Sequence, residues 1–273
     1  MVVPASRSTS ALQSVAAVAS VLRTAGCVYA EDEARLLMDE APGPGALAGW
    51  VDRRVNGVPL EHILGWAGFD GGRISVDAGV FVPRRRTELL VHEAVRLLHH
   101  ASSASRGVVV DLCCGSGAVG AAIARRRPDI ELHAADIDPA AVECARRNVN
   151  AFGAHVHQGD LFEALPLRLR DRVQVLAVNA PYVPTGAIAA MPPEARVFEP
   201  HTALDGGADG LDFHRRISAG ALEWIAPVGH LLIETSRHQS ESTAALLTAA
   251  GLAVRVVHSG ELDGTVVVGT PHP

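Results

Sequence analysis

The chain has 273 residues, 48% of them hydrophobic, which is enough to bury a sizeable core in one large domain or in a domain with a small partner. Its formal net charge of -6 gives no overall basic field that would draw it onto nucleic acid. The histidines are scattered, and no metal-ligand spacing links the four cysteines, Cys27, Cys113, Cys114 and Cys144. The sequence therefore predicts no metal site and reduced thiols, as in a cytoplasmic protein.

The first 65 residues are predicted to be helical. Apolar residues recur at helical spacing from Leu12 to Leu22, which favours an amphipathic helix over 10–25 instead of a signal peptide or a membrane span. A second helix is predicted over 31–40, a break at 41–45, where proline and glycine alternate, and a third short helix to about Val55. We expect a separate helical domain over 1–65.

Turn-forming residues at 68–72 lie between short apolar runs and predict a β-hairpin linker over 66–82, followed by a helix over 87–100. Strands are then predicted at 108–112, 131–136, 155–159, 173–179 and 229–235, and helices at 118–126, 139–150, 211–225 and 238–250. Such alternation implies a parallel sheet covered on both faces, in an α/β domain over 83–273. The last two strands, at 252–258 and 265–270, are joined by a short turn and should pair antiparallel.

A glycine-rich loop follows the strand at 108–112 and opens the next helix. The spacing of Gly115, Gly117 and Gly120 satisfies the dinucleotide fingerprint, and small residues before a helix N-terminus let the backbone approach a ligand. Asp136 lies about 20 residues further along, where it could accept hydrogen bonds from ribose hydroxyls in either class of cofactor. Asp111 favours S-adenosylmethionine, because it would repel a pyrophosphate and attract the positively charged methionine end.

The adenine end of the cofactor is expected near Asp160 and Leu161, which follow the strand at 155–159. The Asp160 carboxylate could accept from the adenine amino group, and Leu161 could cover the ring; a strand-end aspartate without a ligand is the alternative. The predicted cofactor-binding residues are Asp111, Cys113, Cys114, Gly115, Ser116, Gly117, Asp136, Ile137, Asp160, Leu161 and Asn179.

The candidate catalytic residues are Asn179, Ala180, Pro181 and Tyr182, at the edge where ligands bind in open α/β sheets. An amide nitrogen is a poor nucleophile because its lone pair is delocalised into the carbonyl. The Asn179 side-chain oxygen and the Ala180 carbonyl could accept from both of its N–H groups. They would thereby orient the nitrogen toward a methyl donor and stabilise the positive charge that grows on it. Pro181 stiffens the turn, Tyr182 offers an aromatic face, and neither a base nor a metal is required before transfer.

Taken in order, these motifs resemble the release-factor-type protein glutamine N5-methyltransferases. The match covers nearly the whole chain from about Pro59, through 81–84 with Thr87 and Glu88, the cofactor positions and 179–182. The stretch 198–212 is more specific than the glycine loop. The resemblance implies a class I S-adenosylmethionine methyltransferase fold, mostly parallel and seven-stranded with an antiparallel last strand. It also implies a small helical N-terminal domain that contacts the protein substrate.

The implied activity is N5-methylation of a glutamine side chain in a protein, for example a peptide chain release factor. Ala180 stands where the family has proline, but it keeps the backbone carbonyl, so the chemistry should survive. Arg85 and Arg86 replace proline and glutamate and reverse the charge near the mouth of the active site, and the late strand 231–236 departs from the family's usual order. These departures indicate a close paralogue whose substrate the sequence does not assign.

Two other functions stay open from the sequence. Amino-methyltransferases that act on adenine in nucleic acid use a related motif, although the acidic net charge and the lack of a basic recognition domain count against that function. The other is a cofactor-binding module without catalysis, against which Asp111, Asp136 and Asn179 argue.

Overall fold

The computed structural model describes residues 12–100 and 106–272. Its first part consists of four helices: α1 (Val15–Thr24), α2 (Ala30–Glu40), α3 (Pro44–Val55) and α4 (Leu60–Leu64). Their apolar faces meet in a core of their own, in which Leu22, Leu37 and Val51 are fully buried. The first helix was predicted over 10–25, and residues 10 and 11 lie outside the described residues. The structure thus contains the predicted helical region, whereas its division from the rest at residue 65 stays a prediction.

The break predicted at 41–45 is shorter in the structure. Helix α3 already begins at Pro44, which occupies the first turn of the helix. Proline is favoured there because its fixed φ suits a helix and its missing N–H needs no partner in the first turn. The sequence prediction placed this proline within the break, whereas in the structure it begins the next helix.

The predicted β-hairpin is present as β1 (Trp66–Phe69) and β2 (Gly72–Ser75), which pair antiparallel with Trp66 opposite Ser75. Phe69 and Ile74 bury their side chains in the core of the following α/β part. The hairpin is therefore packed against the α/β part, where the Ser75 N–H donates to Asn148 Oδ1 at 2.8 Å.

A seven-stranded sheet is the centre of the α/β part, with the order β5-β4-β3-β6-β7-β9-β8. The strands are β3 (Gly107–Leu112), β4 (Ile130–Asp136), β5 (His155–Gln158), β6 (Val173–Val178), β7 (Ile225–Glu234), β8 (Leu252–Ser259) and β9 (Gly264–Pro271). Neighbours from β5 to β7 are parallel, and β9 is antiparallel to both β7 and β8. This arrangement confirms the predicted class I S-adenosylmethionine methyltransferase fold.

One strand begins earlier than the sequence predicts. Strand β7 was expected over 229–235, but it starts at Ile225 and includes Pro227 and Gly229. Its pairing with β6 shifts register between Val173 and Val175, and such irregularities are where proline and glycine occur within strands.

Helices cover both faces of the sheet. They are α5 (Glu88–His100), α6 (Ala118–Arg126), α7 (Pro139–Val149), α8 (Pro193–Phe198), α9 (Asp212–Gly220) and α10 (Ser240–Ala249). Short 3₁₀ turns at Arg85–Thr87 and His201–Ala203 flank the region of the site. The helix predicted over 211–225 ends at Gly220 and is followed by a 3₁₀ turn, and α8 lies in a segment to which the sequence assigned no element. In the described part of the chain, no helix combines the length and apolar character that a membrane crossing needs.

Polar contacts join the helical N-terminal part to the α/β part. Arg54 of α3 is almost fully buried and places its guanidinium 2.6 Å from Glu33 of α2 and 2.7 Å from Glu194 of α8. The His62 Nε2 atom lies 2.8 Å from the carbonyl oxygen of Val80. The ion pair between Arg54 and Glu194 links α8 to the helical part, and the segment that follows α8 forms one wall of the cavity described next.

Candidate active site

The carboxyl ends of the central strands open into one cavity of about 420 Å³. It is lined by all but one of the residues that the sequence assigns to cofactor binding and catalysis: Asp111, Cys113, Cys114, Gly115, Ser116, Asp136, Ile137, Asp160, Leu161, Asn179, Ala180, Pro181 and Tyr182. The exception, Gly117, is the residue that precedes α6. Residues that end separate strands therefore converge because the carboxyl ends of parallel strands meet at one edge of the sheet.

Two glycines of the cofactor loop have different roles. Gly115 has φ +53°, and a Cβ atom there would project into open space, so its missing side chain leaves room for a ligand. Gly117 has φ +74°, and a Cβ atom would lie 3.0 Å from the Cβ of Ala145 on α7. Gly117 therefore permits close packing of α6 against α7, whereas Gly115 borders the cavity.

We expect alanine at these two positions to separate folding from binding. Gly115→Ala should cost about 1–2 kcal/mol for its left-handed backbone and should mainly weaken cofactor binding. Gly117→Ala adds a steric clash and should cost roughly 1–3 kcal/mol more in the free energy of unfolding. Urea unfolding and calorimetric titration with S-adenosylmethionine check both. Equal stability of the two variants would contradict the assignment.

Asp136 is held rigidly at the end of β4. Its Oδ2 atom accepts from the Gly115 N–H at 2.8 Å, and its Oδ1 atom accepts from the Asp138 N–H at 3.0 Å. Burial raises the pKa of Asp136, and these two backbone hydrogen bonds oppose the rise. Each carboxylate oxygen has a second lone pair, so both can still accept a ligand hydroxyl. The arrangement suits the predicted contact with a ribose.

Asp111 lies at the end of β3 and is 2% exposed. Its Oδ2 atom accepts from the Gly120 N–H at 2.8 Å. Burial raises the pKa of Asp111 to about 8, since few groups near it compensate a negative charge. A cation bound beside it would favour the ionised form. The structure therefore fits a cofactor with a positively charged end at this position.

Beside Asp160, the cavity contains a residue that the sequence missed. Arg216 of α9 places its NH2 atom 2.7 Å from Asp160 Oδ2, and both side chains line the cavity. The Asp160 Oδ1 atom keeps its lone pairs for an adenine amino group. Ile137 is 59% exposed and Leu161 is buried, and both line the cavity, so it offers apolar surface to a purine ring. Burial raises the pKa of the Cys113 and Cys114 thiols, which keeps both neutral.

The Asn179 side chain is oriented by Thr87. Its Nδ2 atom donates to Thr87 Oγ1 at 3.3 Å, which leaves the Oδ1 atom to accept from a ligand. Thr87 is 2% exposed and comes from the 3₁₀ turn before α5. The sequence analysis did not assign Thr87 to the site, although it lies in a segment that carries the resemblance.

Tyr182 points toward a buried carboxylate. Its hydroxyl lies 3.5 Å from the Oε1 atom of Glu234, the last residue of β7, and the Nε atom of Arg86 lies 3.6 Å from the same oxygen. Of the two unusual arginines, Arg86 therefore faces the cavity, whereas Arg85 is exposed and lies 3.9 Å from Glu261. Glu234 was also missed as a site residue.

The segment after α8 holds in place the turn at 179–183, which carries the candidate catalytic residues. The Val183 N–H donates to the Leu204 carbonyl at 3.0 Å, and the Gly206 N–H donates to the Val183 carbonyl at 2.8 Å. Gln239 Nε2 donates to the Tyr182 carbonyl at 2.9 Å. Two of these three hydrogen bonds come from the stretch 198–212, which therefore supports the turn that carries the candidate catalytic residues.

Comparisons with known proteins agree with this site. The chain matches the family model described as Methyltransferase small domain over residues 73–190. It is 38% identical to the release factor glutamine methyltransferase of Geobacter sulfurreducens, over 76% of this chain and 70% of that protein. It is 36% identical to the 4-amino-L-phenylalanine/4-methylamino-L-phenylalanine methyltransferase of Streptomyces pristinaespiralis, over 77% of this chain and 72% of that protein.

Among solved structures, the chain is similar to the hMettl16 catalytic domain in complex with the MAT2A 3'UTR hairpin 6. The TM-score is 0.55 at 15% identity, with 73% of this chain and 76% of that chain covered, so this likeness supports the fold alone. The identity to the Geobacter protein extends over most of both chains. Together with the fold and the converged site residues, it shows that the chain belongs to the release factor glutamine methyltransferase family.

Proposed function

We propose that this protein transfers a methyl group from S-adenosylmethionine to the side-chain amide nitrogen of a glutamine in a peptide chain release factor. The observation that carries the proposal is the orientation of Asn179. Its amide nitrogen is bonded to Thr87, and its oxygen is left for a substrate in the same cavity as Asp111 and Asp136. The names of the relatives, a release factor glutamine methyltransferase among them, support the same substrate.

The chain's own residues supply orientation and electrostatics. S-adenosylmethionine supplies an electrophilic methyl group on a sulfonium. Asn179 Oδ1 and the Ala180 carbonyl accept from the two N–H groups of the substrate amide, which turns the nitrogen lone pair toward that methyl group. The same acceptors stabilise the positive charge that develops on nitrogen, and they need no reorganisation because Thr87 already holds Asn179. The extra proton leaves to water after transfer.

Substrate selection belongs to the helical N-terminal part in this proposal. We assign 1–65 to contact with the protein substrate, 66–82 to the hairpin linker and 83–273 to catalysis. The Arg54 contacts with Glu33 and Glu194 connect the first of these to the wall of the cavity. The four cysteines carry free thiols, which suits a cytoplasmic site of action.

The test is methyl transfer from labelled S-adenosylmethionine into purified release factors of the source organism. Digestion and mass spectrometry should place one methyl group on a glutamine side chain, and the Asn179→Ala variant should give little product. Label on another residue type, or on nucleic acid in a lysate, would contradict the proposal. A nucleic-acid substrate would also show binding that weakens steeply with salt.

A second candidate is an amine of a small aromatic amino acid, favoured by the similarity to the Streptomyces pristinaespiralis methyltransferase. An aniline nitrogen, like an amide nitrogen, has its lone pair delocalised into a planar group. The same mapping experiment distinguishes the two when 4-amino-L-phenylalanine is offered alone and in competition with a release factor. Turnover of the amino acid with no transfer to protein would favour this second candidate.

A further inference from the structure

Three arginines line the cavity: Arg84, Arg86 and Arg216. Two of them are paired with carboxylates of the chain itself. The NH2 atom of Arg84 lies 2.6 Å and 2.7 Å from the two carboxylate oxygens of Glu199. The NH2 atom of Arg216 lies 2.7 Å from Asp160 Oδ2. Both pairs are within hydrogen-bond distance, so these two positive charges are already matched by acids.

Arg86 is held much more loosely. Its Nε atom lies 3.6 Å from Glu234 Oε1, which is longer than a hydrogen bond, and within the described part of the chain no other carboxylate forms an ion pair with it. Its side chain is 46% exposed, and the residue lines the cavity. A guanidinium group has five N–H donors in a planar fork that fits a carboxylate bidentately. Arg86 therefore offers a positive charge that a ligand carboxylate can pair with.

Arg86 lies at the end of the cavity where the methyl acceptor would bind. The next residue, Thr87, accepts from the Asn179 Nδ2 atom at 3.3 Å and so orients the amide that would hold the acceptor nitrogen. The Arg86 Nε atom and the Tyr182 hydroxyl approach the same oxygen of Glu234, at 3.6 Å and 3.5 Å. Arg86 is therefore joined to the candidate catalytic residues twice, by its backbone next to Thr87 and by its guanidinium group near Tyr182.

The sheet order separates Arg86 from the predicted cofactor contacts. Those contacts follow β3, β4 and β5, whereas Glu234 ends β7, on the far side of β6. Neighbouring strands are about 5 Å apart, so β7 lies roughly 10 Å from β3. S-adenosylmethionine has a carboxylate at its methionine end, and Asp111 on β3 marks where that end is expected. A guanidinium group beside the end of β7 is therefore better placed for the methyl acceptor than for the cofactor.

We propose that Arg86 determines substrate specificity by binding a carboxylate group of the methyl acceptor, while Asn179 holds the nitrogen that is methylated. The proposal rests on the proposed function, because it takes the position of the acceptor from Asn179. In a protein substrate, the carboxylate belongs to an aspartate or glutamate beside the target glutamine. In a free aromatic amino acid, it is the α-carboxylate. An acceptor without a carboxylate near the reactive nitrogen leaves Arg86 unpaired and should be a poor substrate.

The first test compares methyl acceptors that differ only in the carboxylate. N-acetyl-L-glutamine and 4-amino-L-phenylalanine are each compared with the compound in which the carboxylate is replaced by an amide. The wild-type kcat/KM should be about 10–100-fold higher for the carboxylate, as expected for one charge-assisted pair. Arg86→Gln should remove this preference through KM with little change in kcat, and Arg86→Lys should keep part of it. Arg86→Glu should favour the amide, because it repels a carboxylate.

A release factor tests the protein source of the carboxylate. Each aspartate or glutamate near the methylated glutamine is changed to its amide. The change at the residue that pairs with Arg86 should lower kcat/KM with the wild-type enzyme and have no effect with Arg86→Gln, because both changes remove one interaction. Such coupling assigns the carboxylate to the protein substrate. Coupling found with the free amino acid alone assigns it to the α-carboxylate.

Arg85→Gln is the matched control. It removes the same charge one residue away, from a side chain that is 70% exposed, lies 3.9 Å from Glu261 and does not line the cavity. This variant should keep the full preference for the carboxylate. A loss of preference shared by Arg85→Gln and Arg86→Gln would show a general effect of surface charge and would overturn the proposal, as would an Arg86→Gln loss that is equal for carboxylate and amide acceptors.

Calorimetric titration with S-adenosylmethionine distinguishes the acceptor from the cofactor. Arg86→Gln should bind the cofactor with close to the wild-type affinity. A loss of cofactor affinity as large as the loss of kcat/KM would mean that Arg86 binds the carboxylate of S-adenosylmethionine, and it would overturn the proposal.

The last measurement needs no methyl transfer, so it separates this proposal from the proposed function. In ¹⁵N-labelled protein with S-adenosylhomocysteine, the Nε signal of Arg86 is identified by its loss in Arg86→Gln. That signal should shift when N-acetyl-L-glutamine or 4-amino-L-phenylalanine is added, and not with the corresponding amides. A shift without methyl transfer to glutamine would overturn the proposed function and leave the carboxylate site intact. Absence of the shift with both carboxylates would overturn the carboxylate site, whether or not glutamine is methylated.

Discussion

Replacing Asn179 with alanine is expected to lower kcat by ~10²–10³-fold, the usual loss when one preorganised polar group that stabilises developing charge is removed. The variant removes the side-chain oxygen that would accept from the substrate amide, and it leaves Thr87 without its partner. Cofactor affinity should change far less, because Asp111 and Asp136 keep their backbone hydrogen bonds. Single-turnover kinetics and calorimetric titration with S-adenosylmethionine measure the two quantities separately.

Asn179→Asp is the matched variant for this prediction. It keeps acceptor oxygens facing the cavity and loses the donor to Thr87, so it should retain more activity than Asn179→Ala. If both variants turn over at the wild-type rate with an unchanged melting temperature, Asn179 does not take part in methyl transfer. If both lose cofactor binding as severely as turnover, its role is in binding the cofactor and not in the chemical step.

Asp111→Asn is expected to weaken the binding of S-adenosylmethionine by at least ~10-fold at pH 8, since it removes the buried negative charge beside the cationic end of the cofactor. The wild type should bind more tightly as pH rises toward about 8, because a bound cation stabilises the ionised form of a carboxyl group whose pKa is raised to that value. Binding should also release a proton below that pH, which calorimetry in buffers of different ionisation enthalpy detects. The variant should show neither effect.

The same variant should be more stable than the wild type in mildly alkaline buffer. The folded protein holds the Asp111 proton up to about pH 8, whereas the unfolded chain releases it near pH 4. The folded state therefore binds more protons between these values, and the contribution of Asp111 to stability is lost as pH rises through that window. Asparagine cannot ionise, so the loss should disappear. Asp32→Asn makes the same replacement on the exposed surface of α2 and should leave cofactor binding unchanged.

The sequence predicted the parts of the site that are local in the chain. Asp111, Gly115 and Asp136 lie where a strand passes into a turn and a helix, so their spacing alone indicates which edge of the sheet they occupy. Asn179 was predictable for the same reason, at the end of β6. The fold class follows from the same alternation of strands and helices, and the antiparallel pair at the end follows from one short turn.

The residues that the sequence did not assign to the site come from distant segments. Thr87 precedes Asn179 by 92 positions, Glu234 follows Tyr182 by 52, and Arg216 follows Asp160 by 56. No periodicity relates such pairs, because their contact exists only once the sheet has its strand order. The sequence contains an indirect signal for Thr87 alone, since Thr87 lies in a segment that carries the resemblance, whereas Glu234 lies in a strand that departs from it. Helix α8 was not predicted for a different reason, because its six residues are too few to show a helical period.

The reversed strand β9 has a consequence for how the protein is made. It lies between β7 and β8, although it comes after both in the chain. During synthesis on the ribosome, β7 and β8 are made before β9. Neither strand can form its final pairing with β9 until β9 has emerged. A chain terminated before Gly264 would leave both edges unpaired and would expose the end of β7, where Glu234 lies. Such a product should aggregate or be degraded, and nascent chains should acquire protease resistance only after this final strand has left the exit tunnel.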